Sequence, residues 1–368
     1  MAERYLTRVI LLPTSVFVSA IFGGAYGSGR EVVEFITRHG PVGGLLSIAA
    51  ITIVLSACLF LCFEIARLAR AYDYHSFART LLGRASPLYG AVIVIALLLT
   101  LAVNATASGT LIAGHFGYPS ALAVVVFLAA VVALTFLGRR IVEASLVLAF
   151  VALILVVGLL AIIIATEHRD AVVASFTEAP RAVEGIGAGL TVALATGGLC
   201  PLLIYCGRSL QTRRESGVAA ISAGFFGMVP AAAFHLSFML EYPGIIEHAL
   251  PTYWLLAAVA PAIVVNVYVL MLYWQMIDTA VAVLWGVVEA VSRRSWLSSA
   301  WGRAAIAAAA VGLALLLSSI GLIDLIVQRN SLLFVAFLVV FWLPLLTRGL
   351  SLVVRARPNG LPVTELQV

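Results

Sequence analysis

The chain has 368 residues, 63% of them hydrophobic and 11% charged, with a mean hydropathy of +1.12. Soluble domains carry about 25% charged residues, so this composition excludes a soluble enzyme, a nucleic-acid module or a disordered scaffold and describes a polytopic membrane protein. The net charge of +5 then belongs to membrane topology, not to nucleic-acid binding.

All 22 basic residues are arginine. A Walker A lysine, a pyridoxal-phosphate Schiff base and a Ser-Lys dyad all need an ammonium that guanidinium cannot replace, so ATP-driven transport by this chain alone is excluded. The same bias points to a GC-rich bacterial genome. Cys58, Cys62, Cys200 and Cys206 lie in apolar runs without Cys-x-x-Cys spacing and read as small packing residues. No fixed cofactor is implied.

Hydrocarbon about 30 Å thick requires roughly 20 apolar residues per helix. Such runs fall at 8–38, 41–66, 87–115, 119–138, 141–166, 183–210, 216–240, 254–291, 304–320 and 331–347, numbered here as spans 1 to 10. No small-residue cleavage site follows the first, so it reads as a retained span, and no soluble domain is expected outside the bundle. The eighth exceeds one perpendicular crossing and is expected to tilt or protrude at its cytoplasmic end.

Arginines test the count, because an error of one span would scramble the alternation of basic and non-basic loops. Seventeen fall on one side, from Arg4 and Arg8 to Arg355 and Arg357, while Arg38, Arg169, Arg181 and Arg329 fall on the other and Arg30 lies inside span 1. Both termini are therefore expected in the cytoplasm, with the chain integral to a bacterial inner membrane. Residues 71–85 mix aromatics with arginines as an interfacial helix does. Residues 241–253, with two prolines and an apolar patch, suggest an external hairpin dipping between helices, or an ordinary ordered loop.

Glycine clusters mark where backbone can leave the helical ladder, which at membrane depth survives where it lines a cavity or binds something. Span 1 carries Gly23, Gly24, Ala25, Tyr26, Gly27, Ser28 and Gly29, followed by Arg30 and Glu31. Span 6 carries Thr196, Gly197 and Gly198 before Leu199, Cys200 and Pro201. Pro201 lacks a backbone donor and disfavours helical geometry at Cys200. Spans 1 to 5 (about 8–166) and 6 to 10 (about 183–347) are halves of similar length, and five is odd, so the second half enters from the opposite side. Interrupted helices at matching positions of inverted halves point to a secondary-transporter site at the bilayer midplane; close helix packing is the competing use of such glycines.

Ten spans with breaks in the first and sixth resemble the LeuT-fold, or amino acid–polyamine–organocation, superfamily. The residues Gly23 to Glu31 resemble the Gly-rich, aromatic, Ser-Gly-Arg/Gln-Glu signature of the YkvI-like permeases, with Gly24 and Ala25 where alanine and glycine usually stand. The resemblance implies one all-α membrane domain over 1–368 with a 5+5 inverted repeat. It also implies a hard cation, Na⁺, between Asp278, Thr279 and the backbone of Gly23 to Tyr26; a protonatable Asp278 would serve H⁺ coupling equally.

Ionisable groups in a span are functional candidates. Glu31 is placed to attract a substrate amine or to titrate during transport, or else to pair internally with Arg30 or a neighbouring helix. Asn104 and Ser108, one turn apart, face a cavity or bond between helices. Tyr26 is the favoured aromatic lining, ahead of Tyr205, Tyr268 and Trp274. Glu64, Glu143 and Glu289 read as gate or interface ion pairs. Helix ends at the breaks offer amides and carbonyls to a zwitterion's carboxylate and to a cation, with Glu31 or a carbonyl for the ammonium.

The expected function is secondary transport of a small organic solute, an amino acid or related amine, coupled to Na⁺ or H⁺. A solute-binding sensor subunit is the alternative. No transition-metal set of Asp, Asn and Met stands at the breaks, and no His-Glu-x-x-His or Gly-x-Gly-Asp protease motif occurs. The partners are the lipid bilayer and the solute; oligomeric state is left open.

Overall fold

In lipid every backbone amide and carbonyl needs a partner within the protein, which leaves helices as the solution for segments of this composition. The computed structural model describes residues 5–21, 24–137, 151, 154–155, 157–164, 166–177, 182–292 and 298–356. These are helical, with no strand among the described residues, in an all-α polytopic membrane protein. Seven of the described helices are long and apolar enough to cross a bilayer, and Leu6–Ile21 and Ser120–Phe136 are shorter apolar helices. Much of the fifth expected span, Glu143 included, lies outside the described residues.

Span 1 begins as a π-turn, Leu6–Leu11, continues as α1, Leu12–Ile21, and resumes after a 3-10 turn at Gly24–Ser28 as α2, Arg30–Phe35. Span 2 is α3, Gly40–Ala69. The expected interfacial helix is α4, Tyr74–Leu82. Spans 3 and 4 are α5, Ser86–Phe116, and α6, Ser120–Leu137. A short α7, Arg169–Ser175, precedes α8, Ala182–Gly197, after which span 6 tightens into 3-10 turns at Cys200–Leu202 and Ile204–Ser209. Span 7 is α9, Arg213–Phe238, capped by Thr212, whose hydroxyl accepts from the Glu215 amide.

The eighth span departs from expectation. It is two helices, α10, Pro251–Val259, and α11, Ala262–Val291. Proline disfavours helical geometry at the residue before it, and Ala260 is extended ahead of Pro261. Part of the surplus length is therefore a separate helix at the start of the span, and the 30 residues of α11 still exceed one perpendicular crossing. Span 9 is α12, Ala300–Ser318. Span 10 starts earlier than expected, as α13, Leu322–Phe337, and runs through two π-turns into α14, Leu350–Arg355. Gly321, at φ +94°, makes the turn before it. Arg329 thus sits two turns inside a helix instead of in a loop.

Helices α1, α3, α8 and α9 pack together, and α5, α6, α11 and α12 form a second set. Each set draws two spans from the first half of the chain and two from the second. Lipid removes the hydrophobic drive between helices, so close contact rests on small residues. On α8, a Cβ at Gly185 would strike the Gly43 backbone and one at Gly189 the Ser47 backbone of α3. Helix α13 bridges the sets, touching α8 and α5, and α11 lies against the turn at Gly24–Ser28.

Candidate functional site

The span 1 break is shaped by Gly29, whose left-handed backbone (φ +79°) caps α2. A Cβ there would meet the Phe238 ring and the Thr252 hydroxyl, so only glycine fits both conformation and space. The turn directs the next two residues apart, since neighbours on a helix differ by about 100°. Arg30, buried, pairs with Glu34 and donates to the carbonyls of Ile246 (2.6 Å) and His248 (3.0 Å). Glu34 also pairs with Arg38. The 241–253 segment is thereby tied down onto α2, with Ile245 buried. Glu31 faces the other way and pairs with Arg329 of α13, Oε2 to Nη2 at 3.0 Å, both side chains 15% exposed. The internal partner of Glu31 is thus on span 10 and is not Arg30.

The span 6 break follows the loss of helical bonding after Gly197. Leu199, Leu202 and Leu203 donate to Thr196, Leu199 and Cys200 in i→i+3 steps of 2.9–3.0 Å. Side chains take carbonyls near the break: Cys58 reaches Gly197 O at 3.5 Å, Tyr89 donates to Gly198 O at 2.8 Å, and Trp342 donates to Leu194 O at 2.7 Å. At the other break Tyr268 donates to Gly27 O at 3.0 Å. Tyr89 and Tyr268 are both fully buried.

The two breaks meet at a cavity of about 240 Å³. Tyr26 and Glu31 line it from span 1, Thr196 and Cys200 from span 6, and Asn104, Thr279, Arg329 and Asn330 from spans 3, 8 and 10. Its apolar wall includes Phe17, Leu199, Leu203 and Leu333. The Asn104 amide donates to Thr100 O at 2.8 Å.

Several expected site residues stand elsewhere. Gly197 and Gly198 are not in the cavity lining: they pack against Trp342 and Phe337 respectively, where a Cβ would collide with the ring. Close packing therefore accounts for this glycine pair. Ser108 is buried with its hydroxyl on Ala105 O (2.8 Å), away from the cavity. Gly27, Ser28 and Gly29 shape the turn behind Tyr26; the Ser28 hydroxyl accepts from the Arg30 amide at 3.3 Å. Gly23 lies outside the described residues, and Gly24 and Ala25 are described in backbone only, within the 3-10 turn. Asp278 is buried beside the lining residue Thr279 without lining the cavity itself. Tyr205 is 56% exposed, off the cavity. Glu64 pairs with Arg67 at 2.6 Å and Glu289 with Arg303. Among the described residues, no three His, Cys, Asp or Glu side chains form a metal-binding group.

Arg329 is the charged site residue that sequence reasoning missed. Its signal was present in Gly321 as a turn and in the apolar stretch from Leu322, which together start the helix two turns before the arginine.

No family model and no curated protein sequence matches the chain. Solved structures do. A manganese transporter of Eremococcus coleocola aligns over 95% of this chain and 79% of its own, at 12% identity and a TM-score of 0.55. The same transporter, bound to an aromatic bis-isothiourea substituted compound, aligns over 91% and 76%, at 11% identity and a TM-score of 0.51. A Na⁺-coupled sialic acid symporter aligns over 95% and 90% at 11% identity, but at a TM-score of 0.47 the likeness is too weak to assign a fold. The chain therefore has the fold of a solved membrane transporter.

Proposed function

We propose that the chain is a secondary active transporter that moves a small organic solute, an amino acid or related amine, by alternating access coupled to Na⁺ or H⁺. The observation that carries this reading is the cavity where both broken spans meet, lined by an acid from one helix and a base from another. Ionisable groups are retained at membrane depth where they serve a pathway or a site. The manganese named for the structural neighbour is not carried over. A guanidinium 3.0 Å from the cavity's Glu31 is a fixed cation that repels a bare divalent ion.

The two helix sets, each built from both halves of the chain, support an inverted repeat of spans 1 to 5 and 6 to 10 and a superfamily of LeuT type, with the YkvI-like permeases as the nearer resemblance. Both termini are placed in the cytoplasm by the arginine distribution. Coupling is assigned to Asp278 and Thr279. Thr279 faces the cavity, its neighbour is a buried carboxyl, and their helix packs on the span 1 turn. Carboxylate and hydroxyl oxygens suit Na⁺, and a buried carboxyl suits proton uptake.

Uptake into proteoliposomes, with amino acids and amines as candidates and an imposed Na⁺ or H⁺ gradient, tests the reading. Gradient-driven accumulation that is lost in Asp278→Ala supports it. Solute-dependent thermal stabilisation, which must follow binding to the native state, combined with no uptake would replace it with the sensor.

A further inference from the structure

We infer that the cavity takes a zwitterion by exchange: Arg329 receives the solute's carboxylate and Glu31 its ammonium, and their mutual bond opens to admit both. This rests on the transporter reading for the site's purpose, though its binding chemistry stands on the ion pair itself.

Two kinds of ion pair occur around the span 1 break. Arg30 is committed, holding Glu34 and two carbonyls of the 241–253 segment away from the cavity. The Glu31–Arg329 pair lines the cavity and is joined through one carboxylate oxygen and one guanidinium nitrogen at 3.0 Å. A guanidinium has five N–H donors in a planar fork that matches a carboxylate bidentately. A single-point pair with Glu31 therefore leaves donor capacity for a second carboxylate.

Charge balance selects the solute class. Removing one partner of a low-dielectric ion pair leaves the other uncompensated, at considerable cost. A simple amine would satisfy Glu31 and strand Arg329, and a simple carboxylate would do the reverse. A solute carrying both charges replaces one pair with two and leaves no net charge in the cavity. The cavity's 240 Å³ falls below the about 300 Å³ where pockets for drug-sized ligands begin, which suits a single amino acid. Leu199, Leu203 and Leu333 offer its side chain an apolar wall.

The test is ligand-dependent thermal stabilisation of the purified full-length protein with the twenty proteinogenic amino acids, each compared with its primary amide and its N-acetyl form. At least one amino acid is expected to bind, with its amide and its N-acetyl form each weaker by about 100-fold, the cost of truncating one partner of a buried charge pair. In Arg329→Gln the acid and the amide should bind alike, and in Glu31→Gln the acid and the N-acetyl form should. The double variant strands no charge, so it reports on folding and should bind all three forms alike and weakly. The proposal is overturned if an amide or N-acetyl form binds wild type as well as its parent, or if Arg329→Gln weakens acid and amide equally. It is also overturned if a protein that accumulates another solute class in proteoliposomes binds no amino acid. Selective zwitterion binding without uptake would sustain this inference and defeat transport, so the two fail separately.

Discussion

Tyr89 and Tyr268 do for the two breaks what a helix would otherwise do for itself. Each buried phenol donates to one carbonyl at a break, Gly198 O and Gly27 O. Tyr89 is on the third span and Tyr268 on the eighth, which correspond under a five-span repeat, as do the breaks they serve. Tyr268→Phe removes the donor and keeps the ring, so it leaves a buried carbonyl unsatisfied at a cost of about 1–3 kcal/mol. Hydrogen exchange should rise around residues 26–31 in Tyr268→Phe and around 197–203 in Tyr89→Phe, each with little effect at the other break. Equal effects at both breaks would mean a global loss of packing. The breaks themselves were legible from glycine clusters and Pro201. Their carbonyl partners were not, because a tyrosine in an apolar helix reads the same whether it packs or donates. Arg329 was hidden for a different reason. An arginine was counted as a loop marker, and only its partner Glu31, about 300 positions away in the chain, gives it a reason to sit inside a helix.

At the scale of elements, helix α4, expected from the aromatics and arginines of residues 71–85, also carries a local start signal. Asp73 accepts from the amides of His75 and Ser76 at 3.1 and 3.0 Å and from the Ser76 hydroxyl at 2.6 Å. Partial burial pushes its carboxyl up, but these donors outweigh that and hold it below its usual range. A depressed carboxyl contributes stability in full above its unfolded pKa and loses it as pH falls through the folded value. The cap should therefore be intact at neutral pH and weaken below about pH 4, the ordinary aspartate range. Asp73→Ala should cost about 1 kcal/mol of local helix stability, whereas Asn preserves a cap. The chain has no lysine, so trypsin cuts at arginine alone, and cleavage after Arg79 within α4 reports fraying. It should speed up about fivefold in Asp73→Ala and stay near wild type in Asp73→Asn. Similar rates in all three proteins would show that docking of Phe77 and Leu81, both buried, holds the helix without its cap. Span 8 shows the limit of reading elements by length. Hydropathy ran through Pro261 unbroken, and the backbone geometry that proline imposes on Ala260 divided the span.

For the whole molecule, the central question is what joins the two halves of the chain when lipid offers no hydrophobic drive between helices. The contact of α3 with α8 joins span 2 to span 6, and there Gly185 and Gly189, four residues apart, meet Gly43 and Ser47, also four apart. This small-residue spacing brings two backbones together as a ridge of larger side chains could not. Gly187 lies between them on the same helix with open space around its Cβ position, which supplies an internal control. Glycine within a helix costs about 0.5–1 kcal/mol relative to alanine, so Gly187→Ala should raise the apparent melting temperature of the purified protein slightly. Gly185→Ala and Gly189→Ala gain the same backbone term but drive a methyl into the α3 backbone, and overpacking of this kind costs about 1–3 kcal/mol. Their net effect should be destabilising, and the double substitution should be worse than either alone. Identical chemistry at positions two residues apart should thus change stability in opposite directions. If all three alanines stabilised alike, α3 and α8 would not be in backbone contact, and the junction between the halves would have to lie elsewhere, in the contacts of α13 with α8 and α5.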